Sequence, residues 1–353
     1  MSIAWPSTLR PTGPRLGERA AGRDNNFPVL RHIAAGLVVL THGYALAGHE
    51  LPQSWMPFLV NADLGNYAVK AFFVISGFLV TRSFLSGHGS LRRFVIARSL
   101  RIYPALVASV LLGVAVATAT NLRPAASVLT DASTWGYVWR NATAWSFVAN
   151  VPGSFPHNAI AGGPNGSLWS LPLEIRMYAL VALVGAGGLL ARAKVATIAL
   201  LVCVAAIVAF GPWNVAYVLD GWQWTFVVSF LLGMAAYLAR DRIPISLGLA
   251  LLLVLAMMAA AGHAPAETVF TLFLPYWVLV LAYHPALPVV RLPGDYSYGM
   301  YVYAFPLQQS VAHALPGLSI ATMFAVSVPL TLLVAAASWH ALEQPMLRRK
   351  PRP

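Results

Sequence analysis

Charge is scarce in this chain. Of its 353 residues only 10% are Asp, Glu, Lys or Arg, while 58% are hydrophobic. Soluble domains carry about 25% charged residues. A water-soluble fold of this length would leave apolar surface that it has no polar residues to cover, and lipid is the solvent that such a surface fits. Acidic residues are scarcest, 11 against 23 Lys and Arg, for a formal net charge of +12. The basic residues fall in short clusters between long apolar runs. That pattern excludes a nucleic-acid face and matches the cytoplasmic face of a membrane protein.

Cysteine is nearly absent too. Cys203 is alone, which excludes an intrachain disulfide, and its apolar surroundings read as those of an inert buried thiol. No apolar run precedes residue 28, so no cleavable leader is expected. Residues 1–27 read as a flexible, basic cytoplasmic tail, 28–345 as one transmembrane domain, and 346–353 as a second basic cytoplasmic tail. No internal repeat divides the chain. The nine histidines show no ligand spacing within one element, so no metal is expected.

What is present is a series of apolar runs. A hydrocarbon core of about 30 Å needs about 20 apolar residues per helix. Ten spans are predicted, at 28–48, 66–85, 104–121, 167–190, 195–212, 222–239, 243–261, 268–283, 297–315 and 319–340. The fold class is all-α and polytopic. With the N-terminus in the cytoplasm, the inner segments collect Arg10, Arg15, Arg19, Arg23 and Arg31, then Arg92, Arg93, Arg98 and Arg101. They also collect Arg192, Lys194, Arg240, Arg242, Arg291 and the basic C-terminus. The outer face holds only Arg123 and Arg140, and Lys70, Arg82 and Arg176 fall within spans. Both termini are therefore placed in the cytoplasm. The longest outer segment, 122–166, carries Trp135, Trp139, Trp145, Phe147 and Phe155. It reads as an interfacial segment with a short helix, or as the rim of an acceptor site.

Ionisable residues inside spans are costly and mark candidate sites. Arg31 and His42 lie eleven residues apart in LRHIAAGLVVLTHGYAL, about three helical turns, so they share a face with a separation of roughly 16 Å. Glu174, in NGSLWSLPLEIRMY, enters from the outer side to roughly 11–12 Å, a depth similar to that of His42. A structural histidine and a structural ion pair with Arg176 are the plainer readings. Arg92, Arg93, Arg98 and Arg101 read on charge alone as positive-inside anchors touching anionic lipid. Their guanidiniums equally suit the phosphates of a nucleotide-bearing cofactor. Ser76–Gly77 in AFFVISGFL suggests close helix packing. Tyr296, Tyr298, Tyr301 and Tyr303 around Gly299 read first as packing.

Taken in order, these segments resemble the acyltransferase family 3 membrane proteins, which O-acetylate bacterial surface glycans. The resemblance runs over 25–349, through Arg31 and His42, FFVISGFL at 72–79, RRFVIARSLRIYPAL at 92–106 and NGSLWSLPLEIRMY at 165–178. It continues through FLLGMAAYLAR at 230–240, YSYGMYVYAFP at 296–306 and SWHALEQPMLRR at 338–349. Many members have a histidine before Phe-Pro in the Tyr-rich motif, where this chain has Ala304. The SGNH-type domain that some members append is not expected here.

The resemblance implies a multi-pass protein of the bacterial inner membrane. It implies a cytoplasmic acyl-coenzyme A donor, most often acetyl-CoA, and an acceptor hydroxyl on a lipid-linked or growing glycan. In that reading Arg92, Arg93, Arg98 and Arg101 hold the CoA phosphates, and Arg31 orients the donor. His42 acts as general base or transient acyl carrier, and Glu174 orients His42 or the acceptor. Ser76, Trp169 and Tyr298 line the path. A transporter or flippase without acyl chemistry, and a membrane scaffold, are the rival readings.

Overall fold

The computed structural model describes residues 13–22, 24–52, 64–214, 223–261, 263 and 266–351. The helices are Leu16–Ala20 (α1), Phe27–Leu46 (α2), Leu64–Ser86 (α3), Leu91–Ala119 (α4), Ala125–Thr130 (α5) and Ala132–Ala142 (α6). A 3₁₀ stretch, Gly166–Ser170, runs into Leu171–Ala186 (α7). Then come Ala193–Asn214 (α8), Trp224–Leu238 (α9), Leu247–Ala260 (α10), Ala266–Tyr283 (α11), Ser297–Ala314 (α12) and Ile320–Ser338 (α13). A π-helical turn, Trp339–Glu343, joins α13 to Gln344–Arg348 (α14). Among the described residues there is no strand, only one bridge between Arg15 and Pro244.

Every expected span coincides with a helix, and seven helices are long and apolar enough to cross a membrane. Of the other three, α9 and α10 are shorter, and α12 carries Gln308, Gln309 and several tyrosines. The basic stretch before residue 104 is not a separate surface segment. The Ser90 side chain caps the helix by accepting from the Arg93 amide at 3.4 Å, and α4 continues without a break through Pro104. Arg98 and Arg101 are thereby fixed to a long spanning helix.

The basic segments gather at one end of the bundle. Arg15 donates to the Arg242 carbonyl at 2.6 Å, Arg82 to the Gly22 carbonyl at 2.9 Å, and Asn26 to the Pro288 carbonyl at 3.1 Å. Three expectations change here. Residues 13–20 are not a free tail: Leu16 is fully buried and its amide bonds the Ile243 carbonyl at 2.9 Å. Residues 346–348, expected as tail, lie in the helix Gln344–Arg348. Cys203 is exposed rather than buried. It lies on the outer side of α8 with Ile198, Leu201 and Val202, an apolar surface suited to lipid.

The tightest helix approach is α3 against α9. A Cβ on Gly77 would lie 2.1 Å from the Phe230 carbonyl oxygen, and one on Gly233 would lie 2.3 Å from that of Val74. The two backbones touch where both sequences have glycine, as small residues permit between membrane helices. This contact sets the position of Ser76, one residue before Gly77. At the other end, α5 and α6 form the short helical segment expected within 122–166. Trp135, Trp139 and Trp145 are exposed there, whereas Phe155 is buried.

Candidate active site: two chambers joined at Tyr301

Arg31 and His42 lie on one helix, α2, and open into different chambers. The chamber toward the basic end is lined by Arg31, Ser76, Arg98, Arg101, Glu174 and Tyr298, among others. The second is lined by Thr41, His42, Asn66 and Trp169, among others. Val69 and Tyr301 line both.

The basic chamber is built around Asp295, in the loop before α12. Its Oδ2 accepts from Arg31 at 2.8 Å and from Arg101 at 2.8 Å, and its Oδ1 accepts from the Ser297 hydroxyl at 2.6 Å. Burial pushes the Asp295 carboxyl up. The Arg101 and Arg31 guanidiniums and the Ser297 hydroxyl outweigh that and hold it well below the ordinary carboxylate range. Arg101 also reaches the buried Glu343 at 3.5 Å. His32, one residue after Arg31, accepts from the Tyr296 amide at 3.1 Å and meets the Pro28 carbonyl at 2.7 Å. It is a structural clamp that presents Asp295 to α2.

The four arginines expected to act together therefore divide. Arg101, like Arg31, is committed to Asp295. Arg92 and Arg93 do not line the chamber. Arg98 lines it, and among the described residues Arg98 has no carboxylate partner. Its contacts are the Ser83 hydroxyl at 3.5 Å and the Tyr178 ring at 5.9 Å, and its buried Nε has no hydrogen-bond partner. Lys350 lies close enough to Arg98 and Arg101 to feel their charge. Burial first, then that repulsion, lowers its ammonium to about 8.

Glu174 does not orient His42 in this structure. Its Oε1 accepts from the Ser76 hydroxyl at 2.9 Å and from the Tyr178 hydroxyl at 2.5 Å. Tyr178 lies one helical turn after Glu174, so the i, i+4 spacing in the sequence carried that signal. Tyr298 donates to the Ile102 carbonyl at 3.0 Å and fixes the wall opposite.

His42 is served instead by Ser167, whose Oγ lies 3.4 Å from Nδ1. The Phe305 ring packs edge-on at 5.0 Å. Ser167 is held by a buried turn: Asn165 donates to the Val302 carbonyl at 2.9 Å and accepts from the Ser167 amide at 3.1 Å. Gly166 lies so close to Phe305 that a Cβ would sit 2.6 Å from its ring. The Asn-Gly-Ser run is thus a positioning turn, a role that spacing alone does not disclose. With Nδ1–H toward Ser167, Nε2 carries the lone pair, which can take a proton from a hydroxyl. Trp169 adds an apolar ring, 5.1 Å from Phe226.

The acyltransferase domain of the acyltransferase 3 family matches residues 24–340. The chain belongs to that family. An O-acetyl transferase of Shigella phage Sf6 is 28% identical over 341 residues, covering 93% of this chain and 97% of that one. Nodulation protein 10 of Rhizobium leguminosarum bv. viciae is 28% identical over 370 residues, covering 94% and 95%. No solved structure matches the chain. This family member is a membrane acyltransferase of the non-aminoacyl class, and the chambers described above are where its chemistry is to be sought.

Proposed function

We propose that the protein is an O-acetyltransferase of the bacterial inner membrane, taking acetyl from cytoplasmic acetyl-CoA to a hydroxyl of an envelope glycan or lipid-linked sugar. The observation that carries this reading is the meeting of the two chambers at Val69 and Tyr301. One contains the Arg98 guanidinium, which has no carboxylate partner among the described residues, and the other is lined by His42. A donor bearing several phosphates suits the first, where Arg98 and Lys350 supply cationic groups at the basic end. An uncharged hydroxyl acceptor suits the second, where His42, Asn66 and Trp169 offer a base, an amide and a ring face. The basic end faces the cytoplasm by the positive-inside rule. The relative in phage Sf6 bears the name O-acetyl transferase, which favours acetyl.

In this mechanism His42 Nε2 accepts the acceptor's hydroxyl proton as that oxygen attacks the thioester carbonyl. The C–O bond forms, the C–S bond breaks, and the CoA thiolate leaves with the proton returned by His42. Arg31 and Arg101, locked to Asp295, keep the mouth of the donor chamber in shape. Glu174, Ser76 and Tyr178 form its polar wall. The test is radiolabelled acetyl-CoA given to membranes that contain the protein, with CoA release and label in carbohydrate or lipid fractions measured. Loss of both in folded His42→Ala supports the assignment. Unchanged transfer in that variant removes His42 from the chemistry. Absence of both binding and turnover of acetyl-CoA in the unaltered protein returns the transporter reading.

A further inference from the structure

Tyr301, with Val69, borders both chambers. Its side chain is almost wholly buried. Its hydroxyl lies 2.8 Å from Ser170 Oγ, and the Phe72 ring packs against it edge-on at 5.8 Å. Ser170 lines the basic chamber and Trp169 the His42 chamber. The 3₁₀ stretch Gly166–Ser170 therefore crosses from one to the other, and Tyr301 is latched to the residue at its crossing point. The neighbouring tyrosine of the motif, Tyr298, is tied to α4 within the basic chamber, and Tyr303 is bonded to Ser338 at 3.1 Å. Of these three, Tyr301 is the one that borders both spaces.

We infer that Tyr301, latched by Ser170, is a partition that keeps the two chambers separately accessible from opposite sides of the membrane. It yields only when the acyl end of a donor passes toward His42. The physical need is plain. A thioester that meets water beside a general base is hydrolysed, and closing a site against water suppresses that side reaction. A buried phenol ring, latched to Ser170 and packed against Phe72, closes the junction. To move aside it must break the hydrogen bond to Ser170, which is the latch. Tyr301 is in this view a positioning residue: it governs which reactants meet and takes no part in the bond-making. The inference rests on the two-substrate reading above, yet its geometry can be examined without any turnover.

The single cysteine makes that possible. In a Cys203→Ser background, Ser76→Cys places a thiol on the basic chamber and Asn66→Cys places one on the His42 chamber. A small membrane-impermeant methanethiosulfonate is added to sealed vesicles of either orientation. The expected result is one-sided labelling: Ser76→Cys from the basic side only, Asn66→Cys from the other side only. Adding Tyr301→Ala should make both thiols reactive from both sides. Purified Tyr301→Ala should also release CoA from acetyl-CoA without acceptor at least severalfold faster than the unaltered protein. Two-sided labelling with Tyr301 intact, or sidedness that survives Tyr301→Ala, overturns the partition. Should Tyr301→Ala fail to fold, Tyr301→Phe decides, since it keeps the ring and loses the Ser170 latch. Increased cross-side labelling then upholds the partition, and unchanged labelling overturns it. Sidedness without acetyl-CoA turnover would leave the partition standing and remove the acyltransfer assignment, so the two claims fail separately.

Discussion

Arg31 and Arg101, from α2 and α4, share one carboxylate oxygen, Asp295 Oδ2, at 2.8 Å each. Arg31 depends on that anion alone among the described carboxylates, and Arg101 shares itself between it and Glu343. Removing Asp295 from a largely buried site strands Arg31 and leaves Arg101 only Glu343 at 3.5 Å, and breaking a buried pair costs about 3–5 kcal/mol in comparable cases. Asp295→Ala should lower the thermal midpoint of the detergent-solubilised protein clearly, and Asp295→Glu should recover part of it. A midpoint unchanged in Asp295→Ala would show that the network adds nothing to the fold.

His42 and Ser167 should separate by size of effect. Loss of a general base commonly costs about 10²–10⁴-fold, and His42→Ala should show a loss of that order in acetyl transfer at unchanged stability. Ser167 only holds the ring, so Ser167→Ala should reduce transfer less. Steady-state rates on protein whose folding has been checked by size-exclusion decide the order. A larger loss in Ser167→Ala than in His42→Ala would reverse the roles.

Gly77 should not tolerate a methyl group. The Cβ would sit 2.1 Å from a backbone carbonyl of α9, where neither partner is a flexible side-chain end. Overpacking of this kind costs about 1–3 kcal/mol. Gly77→Ala should lower expression in the membrane and the thermal midpoint, and Gly233→Ala should do the same. Gly136, whose Cβ would meet nothing, serves as the control that should stay silent.

Donor binding should weaken in alkali. The Lys350 ammonium, lowered to about 8 by burial and by Arg98 and Arg101, carries its charge below that pH and loses it above. If it helps to hold donor phosphates, KM for acetyl-CoA rises as pH passes about 8 while kcat changes little. Lys350→Arg, always charged, should flatten that rise. Arg98→Gln should raise KM at every pH. A profile identical in Lys350→Arg and the unaltered protein would detach Lys350 from the donor.

Parts of the site could be read directly from residue order. Arg31 and His42 share a helix because eleven residues are about three turns, and the structure keeps them on α2. Ser76, Glu174 and Tyr298 all reach the basic chamber. The pairings could not be read that way. Glu174 was expected beside His42 from depth alone, yet depth fixes only one coordinate. Rotation of α7 about its axis gives the carboxylate to Ser76 and Tyr178. Asp295 was passed over because it lies in a loop rather than in a span, so the rule that singles out buried charge did not reach it. Cys203 was assigned inward for its apolar neighbours, but in a membrane the outside is apolar too.

Composition and the spacing of apolar runs determined by themselves that this chain is a helical membrane protein and where its helices lie. Those properties follow from local hydrogen bonding and from transfer of each segment into lipid. The order of short motifs determined the family. Tertiary structure alone decided which arginines are spent on Asp295, which hydroxyl serves His42, and that Tyr301, with Val69, borders both chambers. Those outcomes depend on how helices distant in sequence rotate and approach, as at Gly77 and Gly233, and no one-dimensional period encodes that.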